Sequence, residues 1–168
     1  SCSYEARAFG IHSAMPMKMA RQLCPEAVVI RGNSSIYSKQ SDLVTEIIKE
    51  ESPLFEKSSI DEFYIDLTGM DRFFGCWKMN QELKQKIERE TGLPISFGLS
   101  ANKTVSKIAT GVAKPAGQKF VEHGSEKGFL SPLSVKTIPG VGGETYKTLR
   151  QLGIQYIRTL QEIPKDLI

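Results

Sequence analysis

The sequence has 168 residues, 40% hydrophobic and 24% charged, with a formal net charge of +3, the balance of one globular domain or two small ones and not of a disordered chain. A chain of this size buries roughly 70% of its unfolded surface and needs no metal or disulfide to fold, and Cys2, Cys24 and Cys76, odd in number and without metal-ligand spacing, read as reduced thiols. No apolar run approaches the ~20 residues of a spanning helix and no charged-then-apolar leader opens the chain, so it reads as soluble, cytoplasmic and without a membrane partner; beginning at Ser1, it also reads as a piece of something longer.

Residues 4–23 predict short helices around Gly10 and Pro16, and 27–31 a short strand, together a small lobe. Over 33–51, Ile36, Leu43, Val44, Ile47 and Ile48 recur at helical spacing behind Asn33 or Ser34 as N-cap, and Pro53 ends that helix. Residues 54–59 and 62–67 predict two strands, the second alternating Phe63, Ile65 and Leu67 against Glu62, Tyr64 and Asp66. Phe73 with Trp77, and Leu83 with Ile87, sit four apart on a second helix that stops at Thr91-Gly92. A strand over 94–100 follows. Asn102 then caps a helix running to Ala113, broken by Lys114-Pro115, and 118–122 predicts a fourth strand.

This order predicts an α+β fold with helices on one face of a largely antiparallel sheet, the ferredoxin-like pattern. Phe63, Ile65, Phe73, Trp77, Phe97 and Ile108 are its expected core residues. After about Gly124 come short helical pieces punctuated by glycine and proline, which marks a second boundary. His12 and His123 lack partners at catalytic or metal-binding spacing and read as structural or solvated.

Charge is segregated along the chain. Residues 42–90 hold twelve acids against seven bases, and such an acidic stretch can host divalent cations. Residues 101–120 hold Lys103, Lys107, Lys114 and Lys119 with no acid, and 1–32 add Arg7, Lys18, Arg21 and Arg31 against Glu5 and Glu26, so both flanks can hold phosphates. Solvated helix faces account for the same charges.

Four constellations can carry chemistry. Asp61 and Glu62 adjoin in Ser59-Ile60-Asp61-Glu62, and they share one site only where strand alternation is broken, as at a turn. Such hard oxygen ligands suit Mg²⁺, although an ordinary acidic hairpin has the same residues. Tyr4 and Arg7 lie three apart on one helical face, where a phenol and a guanidinium can grip a phosphate or serve structure alone. Lys103 and Lys107 stack on another helix that ends at Lys114, held by the stiff Pro115-Ala116-Gly117 turn, or all three are simply solvated. Last, Pro139-Gly140-Val141-Gly142-Gly143 opens a further helix, as a backbone grip on a DNA phosphate or as an interhelical turn.

In this order, Ser3-Tyr4-Glu5-Ala6-Arg7, Ser59-Ile60-Asp61-Glu62, Asn102-Lys103 through Lys114-Pro115-Ala116-Gly117 and Pro139-Gly140-Val141-Gly142 resemble the Y-family, or translesion, DNA polymerases of bacteria. Ala8-Phe9-Gly10-Ile11 and Ala14-Met15-Pro16 extend the likeness into the first lobe. The resemblance implies part of a fingers lobe at 1–32, most of a palm at 33–122, and the start of a thumb with a helix-hairpin-helix at 123–168. It gives Asp61 the role of metal-bridging carboxylate and Glu62 that of its catalytic partner. It assigns Tyr4, Arg7 and Lys114 to the triphosphate, Ala14 to the roof over the nascent base pair, and Gly140, Val141 and Gly142 to the DNA backbone.

The family's reaction is attack of a primer 3′-oxygen on the α-phosphate of a dNTP between two Mg²⁺ ions, on primer-template DNA and with low fidelity. By the same resemblance, the first palm strand, with another metal-binding aspartate and the residue that excludes ribonucleotides, lies upstream of Ser1. A little-finger domain and the segment that meets a sliding clamp lie downstream of Ile168. A lone fragment is then expected to be inactive, with an exposed sheet edge open to an edge-strand homodimer. Two other classes fit parts of the pattern. One is a non-catalytic helix-hairpin-helix DNA-binding module; the other is a nucleotidyl cyclase, against which the thumb-like hairpin speaks.

Overall fold

The computed structural model describes residues 1–52, 54–70, 75–164 and 166. The expectations placed on Pro53 and Phe73 lie outside the described residues. The chain forms two compact units, Ser1–Ser35 and Ile36–Ile168.

The first unit holds α1 (Tyr4–Ala8) and α2 (Met17–Leu23), and buries Ile11 and Ala20. Ser3 caps α1 by accepting the Ala6 N–H at 3.3 Å. The strand expected at 27–31 does not form: that stretch is irregular, with Val28 87% and Ile30 84% exposed. β-branched residues favour a strand only when a neighbouring strand takes up their N–H and C=O groups, and none of the described residues pairs with this segment.

α3 (Ser34–Glu51), which belongs to the second unit from Ile36 on, begins where Asn33 Oδ1 accepts the Ser35 N–H at 3.2 Å, and its apolar face ends in the buried pair Ile47 and Ile48. α4 (Cys76–Thr91) stops at Gly92, whose φ of +69° is left-handed backbone that glycine adopts without strain. Ile47 and Ile48 pack with Leu83 and Ile87 of α4, and the half-buried Phe55, Phe63 and Ile65 cover that cluster.

In place of one largely antiparallel sheet, the described residues form two separate ladders. β1 (Phe55–Lys57) and β2 (Phe63–Ile65) pair antiparallel with Phe55 opposite Ile65, while β3 (Phe97–Leu99) and β4 (Gln118–Phe120) pair parallel with Gly98 opposite Lys119. The parallel pair follows from its connection: α5 (Lys103–Ala113) carries the chain back over the ladder, so the second strand enters in the direction of the first.

The expectation that helices cover one face only is also corrected. On the hairpin, Phe55, Phe63 and Ile65 meet the α3–α4 cluster, whereas Glu56 and Glu62, on the other side of the pleat, meet lysines of α5. On the second ladder, Phe97 and Phe120 pack on Trp77 of α4, with ring centroids 5.4 and 5.8 Å apart, while Gly98 lies against α5. The second ladder therefore has α4 on one face and α5 on the other, while the hairpin has the α3–α4 cluster on one face and the lysine ends of α5 on the other.

α5 begins at Asn102, whose Oδ1 accepts the Val105 N–H at 2.9 Å, and buries Val105, Ile108 and Ala109. Val121, Phe129 and Leu130 pack with Val105 and Ala109, so α6 (Glu126–Leu130) joins the α5 core. Beyond it, a 3₁₀ turn (Val135–Thr137), α7 (Gly143–Gln151) and α8 (Ile157–Glu162) are held around the fully buried Val135, which donates its N–H to Gln155 O at 3.1 Å. Among the described residues no helix is long and apolar enough to cross a membrane.

Candidate active site

The β1–β2 turn is closed by two bonds to one acceptor: the Ser58 and Ser59 N–H groups donate to Glu62 O at 2.9 and 3.2 Å. Asp61 and Glu62 precede Phe63, where β2 begins, so strand alternation has not yet separated them. The Ser59 hydroxyl donates to Asp61 Oδ1 at 2.7 Å, and the Asp61 N–H faces Ser59 Oγ at 3.4 Å, a local turn that orients the Asp61 carboxylate. Asp61 is exposed and Glu62 half-buried.

Opposite this turn, Lys107 Nζ donates to Glu62 Oε2 at 2.7 Å. One helical turn earlier, Lys103 pairs with Glu56 and lies 5.4 Å from the centroid of the Tyr64 ring. The hydrogen bond to Glu62 raises the pKa of Lys107 above its ordinary value; partial burial opposes this, and the charges of Glu62, Tyr64 and Asp61 reinforce it. The ammonium thus lies in the field of both adjacent carboxylates. Spacing alone put Lys103 and Lys107 on one face and offered it to phosphates, but here both side chains are engaged by carboxylates of the hairpin. The only available signal was their i, i+4 repeat, which says nothing of a partner 45 residues away.

Lys114 ends α5 in extended backbone (φ −66°, ψ 144°), is exposed, and precedes a cis peptide bond to Pro115. Seven residues beyond Lys107, it falls on the same side of the helix, about 10 Å farther along the axis. Gly117 secures the turn after it: a Cβ there would stand 2.1 Å from Ala113 O, so no other residue fits without the backbone moving.

In the first unit, Tyr4 and Arg7 are together, the guanidinium 6.0 Å from the phenol ring centroid. Arg7 Nη2 also reaches Ser13 Oγ at 3.4 Å, a partner the sequence did not disclose. Next to it, Ala14 holds φ +65°, a left-handed conformation that costs a residue with a Cβ about 1–2 kcal/mol. Ala14 is exposed, and so are Tyr4 and Arg7.

The glycine-rich turn lies between the 3₁₀ turn and α7. Gly140 has φ +88°, and a Cβ at Gly140, Gly142 or Gly143 would meet nothing within 4 Å. The Val141 and Gly142 N–H groups are used within the turn, donating to Ile138 O at 3.0 Å and Gly140 O at 3.1 Å. The amides open to a ligand are therefore those of the first turn of α7, Gly143 to Thr145, which have no partner within the helix. Glu144 stands among them, paired with Lys147 at 2.7 Å.

The donor set at the hairpin turn fits a hard divalent cation in part. Asp61 and Glu62 would offer carboxylate oxygens there, and among the described residues no group of three or more His, Cys, Asp or Glu is placed to hold an ion. That suits an ion such as Mg²⁺, which keeps waters and takes phosphate oxygens to complete its octahedron, and does not suit an all-protein cage.

Hairpin, crossover helix and lysine-bearing helix end belong to an α+β domain, and residues 1–111 match the impB/mucB/samB family. The chain belongs to that family. It is 38% identical over 169 residues to a DNA polymerase IV of Dehalococcoides mccartyi, covering 100% of this chain and 43% of that protein. It is 43% identical over 155 residues to a DNA polymerase IV of Treponema denticola, covering 92% of this chain and 39% of that one. The crystal structure of DinB from Sulfolobus solfataricus superposes with a TM-score of 0.87 at 28% identity, over 96% of this chain and 48% of that one. An insertion ternary complex of Dbh DNA polymerase gives 0.86 at 29% identity, over 96% of this chain and 48% of that one. The chain spans less than half the length of these relatives.

Proposed function

We propose that the chain is part of a template-directed, low-fidelity DNA polymerase that adds dNMP to a primer 3′-hydroxyl. The observation that carries this reading is the Asp61–Glu62 pair at the turn before β2, facing a helix whose far end presents Lys114, in a chain of the impB/mucB/samB family. In this reading 1–32 belong to fingers, 33–122 to palm and 123–168 to thumb, with primer-template DNA and a dNTP as partners. Its three cysteines, odd in number and without metal-ligand spacing, agree with a reducing, cytoplasmic setting.

The residues divide the work by their chemistry. Asp61 and Glu62 would hold Mg²⁺, which when bound neutralises phosphate charge and acidifies the attacking hydroxyl. Tyr4 donates one hydrogen bond and Arg7 a planar fork to triphosphate oxygens. Lys114 adds a point charge where pyrophosphate leaves. Ala14, small and exposed, leaves space over the nascent base pair. The turn at Gly140, Val141 and Gly142 brings the amides of α7 toward a DNA phosphate without reading a base. By the family resemblance a further metal-binding aspartate lies upstream of Ser1, and we infer from it that these 168 residues do not polymerise unaided.

Primer extension tests the reading. In the full-length protein, Asp61→Asn and Glu62→Gln are each expected to lower the extension rate at least ~10³-fold. Extension at the parental rate in either variant overturns it. The alternative, a DNA-binding module, draws on the open space beside Gly140, Gly142 and Gly143. It predicts that the 168-residue chain binds duplex DNA but shows no Mg²⁺-dependent dNTP binding for Asp61→Ala to remove.

A further inference from the structure

We propose that Lys107 is a built-in counter-cation: it holds the Glu62 carboxylate when no divalent ion is present and competes with that ion for it. The inference rests on the reading of Asp61 and Glu62 as metal ligands.

Three features single out Lys107. Its ammonium contacts Glu62 Oε2 directly, at 2.7 Å, and so engages an oxygen that a metal ion would use. Both side chains are partly open to solvent, 39% and 44% exposed, so the pair can part without leaving a buried charge unsatisfied. The third feature is that α5 does not need this contact to stay docked. Val105, Ile108 and Ala109 are buried, Gly98 lies tightly beneath the helix, and Lys103 holds Glu56 one turn away. A lysine unnecessary for docking, yet seated on the half-buried carboxylate of the pair, is placed to act on that carboxylate's charge.

The electrostatic consequence has a definite sign. Asp61 and Glu62 carry two negative charges, and Lys107 cancels about half of that field at the turn. An ammonium and a divalent cation on one carboxylate repel each other, so the lysine lowers the affinity for metal while keeping the empty turn from self-repulsion. A purely structural lysine has the opposite signature, because its loss disorders Glu62 and weakens metal binding.

Mn²⁺ binding to the 168-residue chain, followed by the electron paramagnetic resonance of the free ion, separates the two. Lys107→Met is expected to tighten Mn²⁺ binding about tenfold, Lys107→Gln to do the same, and Lys107→Arg to stay near the parent. Adding Asp61→Asn to Lys107→Met should abolish the gain. Circular dichroism melts establish that each variant is folded, and Lys107→Gln carries the test should Lys107→Met not be. Binding by Lys107→Met and Lys107→Gln that equals or falls below the parent, or none in the millimolar range, overturns the proposal. Where Mn²⁺ binds but neither lysine variant gains affinity, weakening by Asp61→Asn and Glu62→Gln leaves the metal reading standing and only the role of Lys107 falls. If they leave it unchanged, both fall.

Discussion

Gly98 of β3 runs directly beneath Ala109 of α5: a Cβ on Gly98 would lie 2.7 Å from the Ala109 methyl group, and 2.4 Å from Ser106 O and 2.6 Å from Thr110 N. Two of those three neighbours are backbone, so no side-chain rotation relieves the clash. Gly98→Ala is expected to destabilise the chain by about 1–3 kcal/mol, the cost of overpacking a fitted interface. Urea denaturation should show the midpoint falling at unchanged slope, and a variant as stable as the parent would refute the close packing. Because α5 carries Lys107 and Lys114, the fit at Gly98 also sets where both lysines stand.

Gly111 makes the same substitution a stabilising one. It lies in the last turns of α5, and a Cβ there meets nothing within 4 Å. Alanine removes backbone freedom from the unfolded chain and is compatible with helix, so Gly111→Ala should add about 0.5–1 kcal/mol. Thermal melts measured beside those of Gly98→Ala give shifts of opposite sign. A loss of stability would mean that this side of the helix is covered.

Glu88 confers a pH dependence on the α4 end. Its Oε1 accepts from Lys84 and, at 3.1 Å, from the Ile95 N–H, and these bonds, the lysine foremost, lower its pKa below the ordinary value of 4.5, with burial opposing. A carboxylate lowered in the folded state contributes stability above its unfolded pKa and loses it as pH falls through the folded value. The melting temperature of Glu88→Gln should therefore lie below the parent's at neutral pH, and the gap should close on acidification well below pH 4.5. A gap of constant size down to about pH 2 would show that packing, not charge, is what the substitution removes.

The DNA grip assigned to the glycine-rich turn can be separated from the rest. Gly140→Ala forces a Cβ into φ +88°, at about 1–2 kcal/mol, and tilts the opening of α7. Duplex affinity, read by fluorescence anisotropy at low salt, is expected to drop several-fold, whereas Gly128→Ala, in an open position on α6, leaves it unchanged. Equal affinities in the two variants would remove this turn from the DNA surface.

Much of the local structure was legible in the residues themselves. Asn33, Gly92 and Asn102 mark helix ends by hydrogen bonds or backbone angles within a few residues, and the strands at 55, 63, 97 and 118 fall inside the predicted segments. The turn before Phe63 was equally visible, because the residues at 58–62 separate two alternating segments. The family, too, could be recognised from the ordered motifs, and the match over residues 1–111 bears it out.

What folding alone decided involves partners distant in the chain. Strand pairing depends on which segments meet and on how a connection crosses a sheet, so the one largely antiparallel sheet expected is, among the described residues, an antiparallel and a parallel ladder. The stretch at 27–31 has the composition of a strand but pairs with none of the described residues. Lys107 finds Glu62 only because α5 packs across β3 and reaches the hairpin, a placement set by Gly98 and the buried face of the helix. Propensity and capping act within about four residues, whereas the electrostatics of the candidate site arise between groups that only tertiary packing brings to hydrogen-bonding distance.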